Sequence, residues 1–218
     1  MATAAETLFT RVRDAVEAKL GSASGCHDFD HTLRVLANAK MLAAELPEAD
    51  GEIVALAAIL HDIARPEELA SQGKVCHAAE GAKIAKQMLL DFGASRETAR
   101  AVADAVRSHR YRDEVIPTTL EAKIVFDADK LDSLGAVGLG RAFLFAGHCG
   151  ARLHNTEEEA LNSPAYSRED TAYREYLVKL RHLPGAMLTA PGRTEGTRRL
   201  RFMRRFFDRL DAEIRAAK

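Results

Sequence analysis

The stretch DGEIVALAAILHDIAR, residues 50–65, decides the reading of this chain. Asp50 is a good helix N-cap, and Pro66 marks a break just beyond the far end. Between them the residues are apolar nearly all the way round a helical wheel, so no face is suited to water. A helix of that kind belongs at the centre of a bundle. Its inner end carries two adjacent polar groups, His61 and Asp62. Burying such groups without partners costs kcal/mol each, so this end needs something polar against it.

Working outward, helical periodicity continues on both sides. Leu8, Val12, Ala15, Val16 and Leu20 recur at three- and four-residue steps, and Gly21 is a stop signal. A second helix runs from about residue 28 to 46, with Asp28 or Asp30 as its cap, and ends before Pro47. Two amphipathic segments, 78–92 and 96–109, are separated by Gly93-Ala94-Ser95. Pro117-Thr118-Thr119 opens a further helix that carries EAKIVFDADKLDSL, and the glycine-punctuated GAVGLGRAFLFAGHCG follows it. Residues 149–166 read as a polar loop, 167–183 and 196–217 as two helices, and Pro184 to Gly192 as the turn between those two. No strand alternation and no internal repeat is found. The expectation is an all-α helical bundle of about eight or nine helices, one domain over residues 1–218. Its central motifs fall at about 25–150, with the C-terminal helices 167–217 packed on them.

The 218 residues, 47% hydrophobic and 29% charged, suit a globular domain with a sizeable core. Lys+Arg 31 against Asp+Glu 32 gives a formal charge of −1, which disfavours a dedicated nucleic-acid binder. Cys26, Cys76 and Cys149 are an odd set without a CxxC pair, fitting free thiols in a reducing cytoplasm. No apolar run reaches the roughly 18 residues of a membrane span, and the N-terminal segment reads as an amphipathic helix rather than a signal peptide. A phosphate-binding Walker loop and a Gly-x-Ser-x-Gly elbow are both lacking.

The eight histidines are the unusual entry in the composition. His31 shares the inward stripe of its helix with Val35 and Ala39. Asp129 follows Ile124, Val125 and Phe126, a hydrophobic approach to a carboxylate. With His61 and Asp62 this makes four groups from three helices, the way helical bundles build metal sites. Imidazole nitrogen together with carboxylate oxygen suits Mn, Fe, Co, Ni or Zn. Taken singly, each residue is as well explained as a hydrogen-bonded core group or a salt-bridge partner. The set is what points to a metal.

The order of motifs, H(31)xxRV, a hydrophobic helix ending HD(61–62), H(77)AAEGA, RSH(109) and DADKLDSLGAVG, resembles the HD-domain metal-dependent phosphohydrolases. It is most similar to a small stand-alone bacterial group with an EAKxxxDADKLDxLGAxGxxR signature. The resemblance implies that His31, His61, Asp62 and Asp129 ligate a divalent ion, Mn in preference to Fe, Co, Ni, Zn or Mg. It also implies that His77 and His109 either bridge to a second ion or hold substrate phosphate. Asp62 is expected to ligate and to orient a water. Glu67 and Glu68, read as loop residues just past Pro66, stand where relatives place a general base. Arg65 and Lys130 are plausible phosphate contacts, and Asp132 a substrate-binding or ligand-orienting group. His27 corresponds to a first histidine near the pocket in the family.

The function so implied is hydrolysis of a nucleotide phosphoanhydride, with pyrophosphate release from (deoxy)nucleoside triphosphates the first expectation. A phosphodiesterase on cyclic or dinucleotide substrates is the alternative, and a non-catalytic metal- and nucleotide-binding sensor is the rival of another class. The final segment has nine Lys/Arg against four Asp/Glu over residues 193–218. That is either an electropositive wall or, more simply, a solvated helix face. A phosphorylated small-molecule partner, cytoplasmic location and a possible homodimer complete the expectations.

Overall fold

The computed structural model describes residues 7–21, 28–110 and 115–216. His27 and Cys26 therefore lie outside the described residues. Within them the chain is all-helical, and no helix is long and apolar enough to cross a membrane. The chain divides into two compact units, Met1–Asp129 and Lys130–Lys218.

The first unit contains α1 (Leu8–Leu20), α2 (Phe29–Ala43), α3 (Gly51–Leu60), α4 (Arg65–Ala70), α5 (His77–Asp91), α6 (Arg96–Ser108) and most of α7 (Leu120–Leu131). As its composition demands, α3 is the central helix: Val54, Leu56, Ala57, Ala58, Ile59 and Leu60 are all buried, against α1, α2 and α6. Asp50 caps it by accepting from the amides of Glu52 and Ile53. Asp28 caps α2 in the same way, its carboxylate accepting from His31 N at 2.9 Å. Ser95 caps α6, so the short break after Phe92 returns that helix along α5 as a hairpin. Gly81 of α5 faces Val106, Ile63 and Ala64, at ordinary contact distance from where a Cβ would stand.

The second unit contains α8 (Gly135–His148), α9 (Glu157–Asn162), α10 (Ala172–Val178), a 3₁₀ turn (Leu180–His182), α11 (Leu183–Ala186) and α12 (Ala190–Ala216). α8 packs on α10 and α12, joined by the aromatic contacts of Phe143 with Phe206 and Phe207. Gly135 is in the left-handed region at φ 73°, with the aliphatic stem of Arg199 3.3 Å from where a Cβ would stand.

Among the described residues nine of the α-helices are seven residues or longer, and three are shorter. The short ones are what periodicity does not show. Glu67 and Glu68 sit in α4 rather than in a loop, because Pro66 starts that helix instead of merely ending α3. Regular helix stops at Leu60, and His61–Ala64 form a tight turn in which Arg65 N donates to Asp62 O. The expected polar loop 149–166 contains α9, started by a reciprocal cap between Thr156 and Glu159. α12 begins six residues before position 196, because Thr189 caps it and Pro191 fits its first turn.

Candidate metal centre

Six side chains of the first unit converge in two adjoining groups. His31, His61 and Asp129 form one, and Asp62, His77 and His109 the other; within each, the nearest ligand atoms lie within 4.8 Å of one another. His31, His61, Asp62, His77 and His109 are buried to 1% exposure or less. Asp129, with a side chain 23% exposed, is the most open.

Asp62 joins the groups. Its Oδ2 is 3.7 Å from His31 Nε2 and 3.6 Å from His61 Nε2, and its Oδ1 is 3.5 Å from Nε2 of both His77 and His109. The histidines also approach in pairs, His31 to His61 at 3.3 Å and His77 to His109 at 3.2 Å, each through Nε2. Asp129 Oδ1 lies 3.5 Å from His31 Nε2.

Local structure explains the aim of these rings. His61 and His109 each follow the last residue of a helix, where carbonyls lack an intrahelical partner. Nδ1 of His61 lies 2.8 Å from Ala58 O, and Nδ1 of His109 lies 2.7 Å from Val106 O. With the proton on Nδ1, each Nε2 keeps its lone pair and points it inward. Burial pushes His61 down to about 3 and His77 down to about 4, with Asp62 opposing in both cases. Both rings are therefore neutral near pH 7. A cluster of imidazole nitrogens and carboxylates in a buried site fits a divalent cation of the transition series.

Around the six, Arg65 Nε is 3.0 Å from Asp62 Oδ1 and its Nη1 donates to Glu68 Oε2 at 2.6 Å. Glu68 Oε2 is also 3.0 Å from His77 Nδ1. Glu67 turns the other way, to Lys19 of α1. Lys130 and Asp132 belong to the second unit, where both are buried and Asp132 accepts from Arg141 at 2.7 Å.

Two neighbours of the centre carry no motif that singles them out. Asn38 donates from Nδ2 to Ala128 O, beside Asp129. Its signal was positional: a polar residue two turns after His31 on the buried face of α2. Arg110, directly after His109, reaches Cys76 Sγ at 3.4 Å and lies 3.8 Å from Glu68.

Residues 28–134 match the model of the HD domain. The protein YpgQ of Bacillus subtilis strain 168 is 31% identical over 211 residues, 94% of this chain and 92% of its own. The chain belongs to the HD family. A crystal structure of YpgQ in complex with ADP is similar with a TM-score of 0.72, 28% identity and 94% of each chain covered. A predicted HD superfamily hydrolase from an uncultured Thermotogales bacterium gives 0.68 at 28% identity, over 93% of this chain and 91% of that one. An HD-superfamily hydrolase of Bacillus thuringiensis gives 0.73 at 25%, over 95% and 97%. These likenesses make the chain an HD superfamily hydrolase whose His/Asp cluster is of the kind that holds a metal.

Proposed function

We propose that this HD protein hydrolyses a nucleotide phosphoanhydride, releasing pyrophosphate from nucleoside or deoxynucleoside triphosphates with the help of a divalent metal, Mn in the first place. The observation that carries the reading is the position of Asp62, one oxygen toward His31 and His61 and the other toward His77 and His109. The ADP complex of YpgQ supports a nucleotide as ligand.

His31, His61, Asp62 and Asp129 would hold the ion. When bound, such a cation acidifies water and neutralises charge on a phosphoryl oxygen. The chain's own groups supply the rest. The buried rings exclude bulk water. Arg65 fixes Asp62 by its 3.0 Å contact, which keeps both carboxylate oxygens directed at their clusters. Glu68 is anchored at the same guanidinium. In this reading the protein works in the cytoplasm, where nucleotides and free thiols coexist.

A second reading is favoured by one feature. His109 donates from Nδ1 to a carbonyl, so its Nε2 is an acceptor and suits a cation better than a phosphate oxygen. A second ion at Asp62, His77 and His109 would favour a phosphodiesterase acting on cyclic or dinucleotide substrates.

The test is one incubation of Mn-loaded protein with nucleoside mono-, di- and triphosphates and a cyclic dinucleotide, products resolved by mass. Monophosphate plus pyrophosphate from a triphosphate is the expected result. Cleavage of the cyclic dinucleotide alone would replace it with the second reading. Turnover that survives complete metal removal, or silence across the panel with metal bound, overturns both.

A further inference from the structure

We propose that the outward face of α12 is a binding surface for single-stranded nucleic acid, and that this binding needs no metal. The near-neutral total charge conceals an uneven distribution. Residues 1–192 carry 22 Lys/Arg against 28 Asp/Glu, and residues 193–218 carry nine against four. The excess is densest at 198–209, twelve residues with six arginines and one acid, Asp208. α12 packs by its other side, where Gly196, Met203 and Phe207 are buried. At about 100° per residue, Arg198, Arg201, Arg205 and Arg209 fall within an arc of about 80° that points away from those three, and they span about 16 Å along the axis. Arg199 is the exception, turned to Glu195 and to the carbonyl of Leu131.

Local ion pairs do not use up this charge. Arg201, Arg204 and Arg205 are exposed, and among the described residues they make no ion pair. Arg198 and Arg209 pair with Glu195 and Glu213, yet their side chains stay 73% and 78% exposed. Exposed pairs of that kind are weak and yield to a stronger anion at small cost. Two aromatic rings flank the row. Phe202 is 41% exposed and Phe206, one turn on, 36%. Phe206 is braced by Phe143 at 5.8 Å and by Phe207 at 5.5 Å, so its position is set before anything binds. A single strand supplies what both kinds of group need, phosphates for guanidinium groups and unstacked bases for rings. A duplex keeps its bases inside the stack and would leave the rings without a partner. An acidic protein segment is served by lysine as well as arginine, whereas α12 has eight arginines and no lysine. A guanidinium grips a phosphate oxygen pair and stacks on flat rings, which an ammonium does not do. The rings decide between phosphate and carboxylate, because a run of carboxylates brings nothing flat to stack.

The test is fluorescence anisotropy of a labelled, mixed-sequence single-stranded DNA oligonucleotide with the full chain, chelator present so that no metal-dependent hydrolysis intervenes. Binding is expected at low salt. Log affinity should fall against log salt with a slope of about −2 to −3, from three or four phosphates at roughly 0.7 each. The triple variant Arg201→Gln, Arg204→Gln, Arg205→Gln removes only exposed charge and is expected to keep the wild-type melting temperature. Its affinity should fall by at least about 10-fold and its slope should flatten by about 2. Phe202→Ser should lose about 5-fold or more at an unchanged slope, since it removes stacking and no charge. Asp62→Asn, altered in the metal centre, should bind the strand as wild type does. No binding at low salt, or wild-type affinity in the triple variant, would overturn the proposal. Loss of binding in Asp62→Asn would do so too, by assigning the strand to the metal centre. A duplex of the same sequence that binds equally well, or displacement by poly-glutamate at equal charge concentration, would overturn it in favour of a duplex or an acidic protein partner.

Discussion

Asn38 Nδ2 donates to the carbonyl oxygen of Ala128 at 3.1 Å, tying α2, which carries His31, to α7, which carries Asp129. The two residues are 90 apart in sequence, and Asn38 is 8% exposed. The accepting carbonyl is in the last turn of α7, where helix carbonyls lack intrahelical partners. Replacing Asn38 with Leu keeps the volume and leaves that oxygen without its donor. The expected cost is about 1–3 kcal/mol of stability, read by urea denaturation. Because the bond sets the distance between two ligand-bearing helices, Mn affinity should fall by about 10–100-fold. A destabilised protein with unchanged Mn affinity would show that the bond serves the fold alone.

Among the described residues Asp62 is the one carboxylate that addresses both groups, so it should be the least replaceable member of the centre. Asp62→Asn preserves shape but puts an N–H where one of the two oxygens stands. Bound metal, measured by elemental analysis after gel filtration, is expected to be lost. Turnover of whatever substrate the panel identifies should drop by at least about 100-fold, since the effect of losing a ligand exceeds that of losing an outer partner. The circular dichroism spectrum should be unchanged. Full metal content in the variant would mean that Asp62 is not a ligand.

The depressed histidines make a statement about pH. His61 lies near 3 and His77 near 4 in the folded chain, both from burial, against 6.5 for the free side chain. Above pH 6.5 both are neutral in folded and unfolded states, and contribute no pH dependence. As pH falls below 6.5 the unfolded chain takes up protons that the folded chain refuses. Stability then declines by up to about 1.4 kcal/mol per pH unit for each group. The decline levels off below about pH 3–4, once the folded chain also binds them. Metal-free protein should therefore unfold at markedly lower urea at pH 5 than at pH 7.5. Equal midpoints at the two values would show that these rings are hydrated or already charged.

The unequal legibility of the sequence has a physical pattern. α3 could be read because a segment apolar on every side has one stable place, and the polar pair at its end then demanded partners. His31, His61, Asp62 and Asp129 stood out as polar groups on apolar faces. What α4 does could not be read: six residues opened by a proline carry no periodicity, and a proline marks a helix start as readily as a helix end. For that reason Glu67 and Glu68 looked alike, whereas one turns to Lys19 and the other to His77. The α9 segment is hidden in the same way, since a single turn held by a Thr156–Glu159 cap looks like polar loop. Arg110 became visible only through distances that no spacing rule encodes.

The glycines of GAVGLGRAFLFAGHCG admit a sharper test, because two of them have opposite surroundings. A Cβ on Gly138 would stand 2.2 Å from the carbonyl oxygen of Ser133 and 2.3 Å from its carbonyl carbon. Both are main-chain atoms in the turn between α7 and α8, so neither can move aside as a flexible side chain does. Gly140, half a turn further along α8, has nothing within 4 Å and is exposed. Gly138→Ala should cost at least the 1–3 kcal/mol or so of an overpacked core. Gly140→Ala should gain up to about 1 kcal/mol, because alanine is the better helix former where no contact opposes it. For a chain of this size that separates the two melting temperatures by roughly 2–16 °C, at about 2–4 °C per kcal/mol. Differential scanning calorimetry of the two variants checks it. Equal shifts would mean that α8 responds to alanine in general, and that the close approach of Gly138 to Ser133 is not what the glycine is there to allow.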